Sequence, residues 1–125
     1  MIDVLIVDDH PVMRELLRQV LETYPDVCVV AEAVNGEEAV KQASQFQPAV
    51  AVIDIRLPTM SGIEAAKLIK LQSPCTAIIG LTAGEPTDTD MAMMSAGAIA
   101  VIDKTDLVHR LYPLILEAVK LKTAI

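Results

Sequence analysis

Apolar and β-branched residues cluster in five short runs along the chain, and in the longer stretches between the runs apolar residues recur every three or four positions. The runs are Ile2–Val7, Val27–Ala33, Ala49–Ile53, Thr76–Leu81 and Ala98–Ile102. Each run is apolar almost throughout and does not alternate with polar residues, which is typical of strands buried on both faces. The runs therefore predict five strands of a parallel sheet that helices cover on both sides.

The stretches between the runs have the period of amphipathic helices. The clearest stripes are Val12, Leu16, Leu17, Val20 and Leu21, then Ala39, Val40, Ala43 and Phe46, and finally Leu107, Leu111, Leu114, Ile115 and Ala118. Asn35, Ser61 and Thr87 resemble N-caps, since each has an acidic residue three positions later, and Pro11 suits a first helical position. Pro113 interrupts the last stripe, and we expect it to kink that helix or to delay its start.

Length and composition fit one domain with one core. The chain has 125 residues, of which 53% are hydrophobic, so we expect a single doubly wound α/β domain over residues 1–125. A net charge of -7 argues against a nucleic-acid surface, because phosphate backbones are bound by clustered Lys and Arg. Without a signal peptide or an apolar stretch of about 18 residues, the protein is expected to be cytoplasmic and to make no membrane contact. Cys28 and Cys75 lack the spacing of metal ligands and are interpreted as reduced, buried thiols.

Polar residues suited to phosphate chemistry follow four of the five runs. They are Asp8 and Asp9 after the first, Asp54 after the third, Thr82 after the fourth and Lys104 after the fifth. Because the ends of parallel strands converge on one edge, we expect these side chains to meet there. Carboxylates about 4 Å apart repel by about 4 kcal/mol per pair at an effective dielectric of about 20, so they need cationic partners. Lys104 supplies one charge, and Mg2+ is a natural second because it is bound by carboxylates, waters and phosphate oxygens.

Asp54 is the candidate nucleophile of this edge. A carboxylate can attack phosphorus and form an aspartyl phosphate when a metal ion and a lysine neutralise the transferring group. Asp8 and Asp9 would then hold the ion, Lys104 would pair with a phosphoryl oxygen, and the Thr82 hydroxyl would donate to another. Each residue alone has an ordinary interpretation as a cap, a turn former or a solvated charge. Their joint occurrence at the strand ends favours a functional site.

Four segments of the chain, VLIVDDHP, DIRLPTMSGIE, LTA and AGAIAVIDK, resemble the receiver domain of two-component response regulators. The resemblance covers the whole chain and implies a flavodoxin-like sheet with strand order 2-1-3-4-5 and five helices. It also implies Mg2+ bound by Asp8, Asp9, Asp54 and the backbone carbonyl of Arg56. A histidine kinase would transfer the phosphoryl group from its phosphohistidine to Asp54.

The resemblance implies a phosphorylation-controlled switch. Phosphorylation changes the charge of Asp54 from -1 to about -2 and adds acceptors, which would pull on Thr82 and Lys104. The protein is then not expected to be an enzyme, although it would catalyse its own Mg-dependent phosphorylation and autodephosphorylation. The VDDHP opening is similar to the subfamily that carries a C-terminal helix-turn-helix domain, so transcription control is the expected output, through a DNA-binding domain absent here.

The fourth helix, the fifth strand and the fifth helix form the face expected to contact a partner or a second copy in a homodimer. Met91, Met93 and Met94 lie on this fourth helix. Methionine adapts to more than one packing partner, although some of the three would fill core. The prediction is that phosphorylation changes the affinity of this face.

Two residues qualify the resemblance. Val101 stands three positions before Lys104, where family members usually have Tyr or Phe. The link between the phosphorylation site and the face that contacts a partner would therefore be weaker or rerouted. His10 follows the acid pair and is interpreted as a polar residue at a helix start and not as a base or a ligand, because hard cations prefer oxygen.

Two alternatives use the same fold. A receiver-like docking module that is never phosphorylated is favoured by Val101 but opposed by the retained acids, threonine and lysine. A phosphatase or phosphotransferase working through an aspartyl intermediate would usually carry a second Asp two positions after Asp54, where Arg56 stands. Phosphorylation and phosphate release therefore distinguish the three functions.

Overall fold

Strands and helices alternate along the whole computed structural model, which describes residues 1–84 and 88–123, with side chains described as far as Lys120. The elements are β1 (Ile2–Val7), α1 (Pro11–Glu22), β2 (Val27–Ala33), α2 (Gly36–Phe46), β3 (Val50–Asp54), α3 (Gly62–Gln72), β4 (Ala77–Thr82), α4 (Asp88–Ser95), β5 (Ala98–Asp103) and α5 (Leu107–Thr123). A 3-10 turn over Lys104–Asp106 joins β5 to α5. The predicted alternation of five strands and five helices is confirmed.

The five strands form one parallel sheet in the order β2-β1-β3-β4-β5, as the resemblance implied. β3 lies in the middle and is buried along its whole length. Val7 of β1 pairs with Ile53 of β3, so that Asp8, just past the end of β1, lies beside Asp54, the last residue of β3. The register of the sheet therefore brings the acids of two separate runs together.

Alternate residues of the central strands serve two core layers. Val4 and Ile6 of β1 pack in the layer that α1 and α5 cover, whereas Leu5 and Val7 pack in the layer under α2, α3 and α4. Because both faces are buried, the strands read as continuous apolar runs.

The helix starts largely follow the sequence prediction. The Asn35 side chain accepts a hydrogen bond from the Glu38 N–H at 2.8 Å, the Ser61 hydroxyl accepts one from the Glu64 N–H at 3.2 Å, and Pro11 is the first residue of α1. The third predicted cap, at residue 87, lies outside the described residues.

Helix α5 runs through Pro113 and begins at Leu107, so the predicted delay of its start is wrong. The proline nitrogen cannot donate to the carbonyl four residues earlier, that of His109. Both residues are exposed, and water can take the place of the missing donor.

The structure also bears on the cysteines and on the apolarity of the helices. Cys28 is half-buried, but Cys75 is exposed at the start of β4, so the prediction of two buried thiols is wrong for Cys75. Within residues 1–84 and 88–123, no helix has the length and apolarity needed to cross a membrane.

Candidate functional site

The carboxyl-terminal edge of the sheet, here called the acidic rim, is centred on Asp8, Asp54 and Lys104. The Lys104 Nζ lies 2.9 Å from Asp54 Oδ2 and 3.1 Å from Asp8 Oδ2. Asp8 is fully buried, Asp54 is 4% exposed, and the Lys104 side chain is 15% exposed. One ammonium group thus bridges two buried carboxylates from adjacent strands.

The backbone after Asp54 fixes the direction of its carboxylate. The Arg56 N–H donates to Asp54 Oδ1 at 3.0 Å, and the Gly62 N–H donates to the Ile55 carbonyl at 2.8 Å. A Cβ at Gly62 would lie 2.2 Å from the Asp54 carbonyl oxygen, so only glycine lets α3 start this close to the strand end. The DIRLPTMSGIE segment therefore folds back against the acid that it follows.

The acid pair is held from the side of α1. The His10 N–H donates to Asp8 Oδ1 at 2.8 Å, and Arg14 Nη1 donates to the Asp8 carbonyl at 2.9 Å. The His10 Nδ1 lies 3.2 Å from Asp8 Oδ1 and 3.2 Å from Asp9 Oδ1. The contacts of the His10 ring and of Arg14 were missed by the sequence analysis. The position of Arg14, one turn into a helix that starts at the rim, was the signal that pointed to it.

Two oxygens of the rim are buried without a hydrogen bond, namely Asp8 Oδ2 and Asp9 Oδ1. Asp8 Oδ2 has a charge contact with Lys104 but no directed donor, whereas its partner oxygen, Oδ1, accepts from the His10 N–H. Buried polar atoms are almost always satisfied, and a deficit of donors around carboxylates marks a place that can receive a cation.

The pKa values of Asp54 and Lys104 follow from the close packing of buried charges at the rim. Burial raises the pKa of Asp54 above its ordinary value, and the nearby Asp8 charge adds to the rise. The Lys104 hydrogen bond and the Arg56 N–H oppose the rise only in part. Burial alone would lower the pKa of Lys104, but its contacts with Asp54 and Asp8 outweigh burial and raise that pKa. The lysine therefore stays charged, while the ionised Asp54 is still short of compensating charge.

A cavity of about 230 Å3 opens above Asp54. Its walls include Arg56, Thr82, Ala83 and Lys104. The small side chain of Ala83 leaves room beside the Thr82 hydroxyl, and the cavity can admit a tetrahedral phosphoryl group. The structure thus brings Thr82 and Lys104 to the same cavity as Asp54, the candidate nucleophile.

The donor set of the rim suits a hard divalent cation. Asp8, Asp9, His10 and Asp54 each offer one ligand atom, and these atoms lie within 4.8 Å of one another. Together with the two unsatisfied oxygens, this spacing fits the oxygen-rich site that Mg2+ requires. The part assigned to the Arg56 carbonyl and the catalytic parts of Asp54, Thr82 and Lys104 stay predictions.

The family model for the response regulator receiver domain matches residues 4–114. Several curated proteins named protein-glutamate methylesterase/protein-glutamine glutaminase are similar over this region. The one from Syntrophus aciditrophicus (strain SB) is 39% identical over 114 residues, which cover 90% of this chain and 33% of that protein. The chain thus spans about a third of the length of the curated relatives it matches.

Solved structures of receiver domains are also similar. The response regulator domain of Thermotoga maritima CheB has a TM-score of 0.88 at 31% identity and covers 94% of this chain and 96% of that chain. A two-component response regulator of the LuxR family from Aurantimonas sp. SI85-9A1 has a TM-score of 0.82 at 28% identity, covering 92% of this chain and 85% of that chain.

These relatives correct one prediction and weaken another. The prediction that the protein is not an enzyme is contradicted, because the curated relatives are named as enzymes. The chain matches only about a third of these relatives, so the residues of the acidic rim carry no signal for the activity in their names. The predicted link to the DNA-binding subfamily has only partial support, from the LuxR-family structure, and the relatives named here give none for transcription control.

Proposed function

Because the chain belongs to the response regulator receiver domain family, whose members bind Mg2+ in an acidic pocket and are phosphorylated by histidine kinases, we propose that Asp54 accepts a phosphoryl group from such a kinase. The observation that carries the proposal is the contact of Lys104 with both Asp54 and Asp8, beside two buried oxygens that lack hydrogen bonds. A solvated charge or a helix cap would not need this arrangement.

The proposed step is a displacement at phosphorus. An oxygen of Asp54 forms the new bond while the P–N bond of the phosphohistidine breaks, and the bonding pair stays with the imidazole nitrogen of the kinase. Lys104 exchanges its contact with Asp54 Oδ2 for one with a phosphoryl oxygen, and the Thr82 hydroxyl donates to a second oxygen. Asp8, Asp9, Asp54 and the Arg56 carbonyl would hold Mg2+, which would supply positive charge to the transferring group.

The proposed response passes from the rim to α4, β5 and α5. Met91 and Met94 are 71% and 46% exposed, whereas Met93 is buried, and the exposed pair offers an adaptable contact for a partner or a second copy. Val101 replaces the usual aromatic, but Asp103 Oδ2 accepts a hydrogen bond from the Gly84 N–H at 3.3 Å. This bond connects the segment after Thr82 to the end of β5 and offers another route for the signal.

The experiment that tests phosphorylation is intact mass measurement after incubation with acetyl phosphate or a phosphohistidine donor. Wild-type protein is expected to gain one phosphoryl group with Mg2+ present and none with a chelator. Asp54→Asn is expected to gain none, and a circular dichroism spectrum like that of the wild type would show that the variant is folded. No mass change and no phosphate release in wild type would favour a fixed docking module, and phosphate release without accumulation of the singly phosphorylated protein would favour a phosphatase. Either result would refute the proposal.

The proposed unit is a single receiver domain over 1–125 that acts in the cytoplasm and controls an output in a further domain. A methylesterase or glutaminase output is the first candidate, because the curated relatives carry those names at 36–42% identity. A DNA-binding output is the second candidate, because the chain is 28% identical to a LuxR-family response regulator and 26% identical to the RcsB response regulator of Salmonella typhimurium, whose structure concerns DNA interaction. Assays of the full-length gene product for methyl-ester hydrolysis and for DNA binding, each with and without acetyl phosphate, separate the two.

A further inference from the structure

We propose that His10 is an additional metal ligand, through Nδ1, and that it gives the acidic rim a preference for nitrogen-binding divalent ions such as Co2+ and Ni2+. This inference rests on the proposed function only in assuming that the rim holds a divalent cation. It assigns a metal-selecting role to a side chain that the sequence analysis interpreted as part of a helix start.

His10 does not use its ring in the way that a helix-start residue would. It occupies the N-cap position of α1, yet its side chain makes no capping hydrogen bond. The residues favoured at this position, Ser, Thr, Asn and Asp, are favoured because their side chains accept from the first turn. The ring lies instead against the two acids, so helix capping does not explain why an imidazole stands here.

The position of Nδ1 matches that of a ligand atom. It lies 3.2 Å from Asp8 Oδ1 and 3.2 Å from Asp9 Oδ1. Neighbouring donors on an octahedral ion with bonds of about 2.1 Å are about 3.0 Å apart. The nitrogen thus lies at nearly the spacing of adjacent ligands from each of the two oxygens, and the candidate ligand atoms of the cluster all lie within 4.8 Å of one another.

Two features indicate that this cluster can accept a cation. Asp8 is fully buried, and its Oδ2 accepts no hydrogen bond; neither does the buried Oδ1 of Asp9. The lysine of the rim contacts Asp8 and Asp54, and no contact of Lys104 with Asp9 occurs in the described residues. Asp9 therefore has a buried oxygen beside the His10 ring whose negative charge the lysine does not compensate.

The chemistry of imidazole determines which ions benefit. Among first-row divalent metals, affinity for nitrogen-containing sites rises from Mn2+ through Co2+ to Ni2+ and Cu2+, whereas Mg2+ prefers oxygen and keeps its waters. The His10 Nδ1 contacts two carboxylate oxygens, which can only accept hydrogen bonds, so an ion bound there would take the place of the Nδ1 proton.

The test compares His10→Asn with His109→Asn in protein without a histidine tag. These are the only two histidines of the chain, and His109 is exposed on α5, which makes it a matched control. Asparagine is a good N-cap and preserves the start of α1. Calorimetric titration at one pH with Ni2+ alone and with Mg2+ alone measures both affinities for each protein.

We expect His10→Asn to lose about tenfold or more in Ni2+ affinity and to change Mg2+ affinity by less than about twofold. We expect His109→Asn to bind both ions like wild type. Pulsed EPR of bound Mn2+ or Cu2+ should show coupling to an imidazole nitrogen in wild type and His109→Asn, and no such coupling in His10→Asn.

The outcomes separate the two proposals. Unchanged Ni2+ affinity in His10→Asn, an equal loss for both ions, or persistence of the nitrogen coupling would overturn the role of His10 and leave the cation site standing. Absence of Mg2+ and Ni2+ binding by wild type would overturn the cation site and this inference together. Loss of both ions in Asp9→Asn, with its fold intact by circular dichroism, would locate the binding at the rim.

Discussion

The two ends of the sheet each bury a pair of polar residues, and they differ in how those residues are satisfied. At the amino-terminal end, the Thr76 hydroxyl donates to the Pro48 carbonyl at 2.7 Å and lies 2.6 Å from the Ser73 hydroxyl. The Ser73 hydroxyl in turn reaches Gln47 Oε1 at 3.1 Å. These hydrogen bonds of Ser73 and Thr76 are here called the hydroxyl network. Both hydroxyls have partners although both residues are fully buried.

The acidic rim lies at the opposite end of the same strands and lacks such compensation. Asp8 and Asp54 are buried, one lysine serves both, and Asp8 Oδ2 and Asp9 Oδ1 accept no hydrogen bond. A satisfied buried network stabilises a fold, whereas uncompensated buried charge reduces stability until a ligand supplies what is missing. The contrast indicates that the hydroxyl network stabilises the fold and that the rim gives up stability for binding and chemistry.

The largest effect is expected from Lys104→Met. The substitution leaves two buried carboxylates without their shared cation, so the free energy of unfolding should fall by about 3 kcal/mol. Urea unfolding at neutral pH measures it, with Lys67→Met on the exposed face of α3 as the control. A loss no larger than that of the control would show that the rim charges do not depend on Lys104.

Thr76→Val is expected to have the next largest effect. It removes the donor to the Pro48 carbonyl inside the core at nearly constant volume, and the unfolding free energy should fall by about 2 kcal/mol. The control is Thr23→Val, because Thr23 also donates to a backbone carbonyl at 2.7 Å, that of Val20, but in an exposed position. Its loss should stay below about 0.5 kcal/mol. Equal losses would mean that burial adds nothing to the hydroxyl network.

Asp54→Asn is expected to stabilise the protein at neutral pH, on the order of 1 kcal/mol. Because the pKa of Asp54 is raised on folding, the folded state binds more protons than the unfolded state, and stability falls as pH rises from the ordinary value of 3.8 through the raised one. The gain from Asn should therefore be complete above that window and absent below it. Urea unfolding across this range tests the sign, with the exposed Glu117→Gln as a control of equal charge change. A variant less stable than wild type at pH 7 would contradict the account.

The smallest effect is expected from Asp103→Ala. The Asp103 carboxylate accepts hydrogen bonds from the Gly84 N–H and from the N–H and hydroxyl of Thr105, which lower its pKa. Without these hydrogen bonds, the Gly84 and Thr105 amides should exchange with solvent faster, while the free energy of global unfolding should change little. Hydrogen exchange followed by NMR measures this, with Asp106→Ala as the neighbouring control. Unchanged exchange at Gly84 would remove this bond as a route from the rim to β5.

The fold and the members of the rim could be predicted because they depend on periodicity and strand ends. Continuous apolar runs indicated strands buried on both faces, and parallel strands necessarily bring Asp8 and Asp54 to one edge. The contacts of single side chains could not be predicted in this way. The contact of the His10 ring with Asp8 and Asp9 depends on the backbone conformation between β1 and α1. The hydroxyl network depends on the packing of the segment before β3 against the segment before β4. The prediction that the protein is not an enzyme was wrong, because the matched region is only about a third of the relatives that are named as enzymes. Transcription control stays a prediction.

The most direct test of the central claim is the dependence of stability on Mg2+ at constant ionic strength, measured by urea unfolding of wild type and Asp8→Asn. If the rim holds buried negative charge in readiness for a divalent cation, wild-type stability should rise by about 1.4 kcal/mol for each tenfold increase in Mg2+ above the dissociation constant. Asp8→Asn should show little or no rise over the same range. A flat wild-type response, or the same slope in both proteins, would contradict the account.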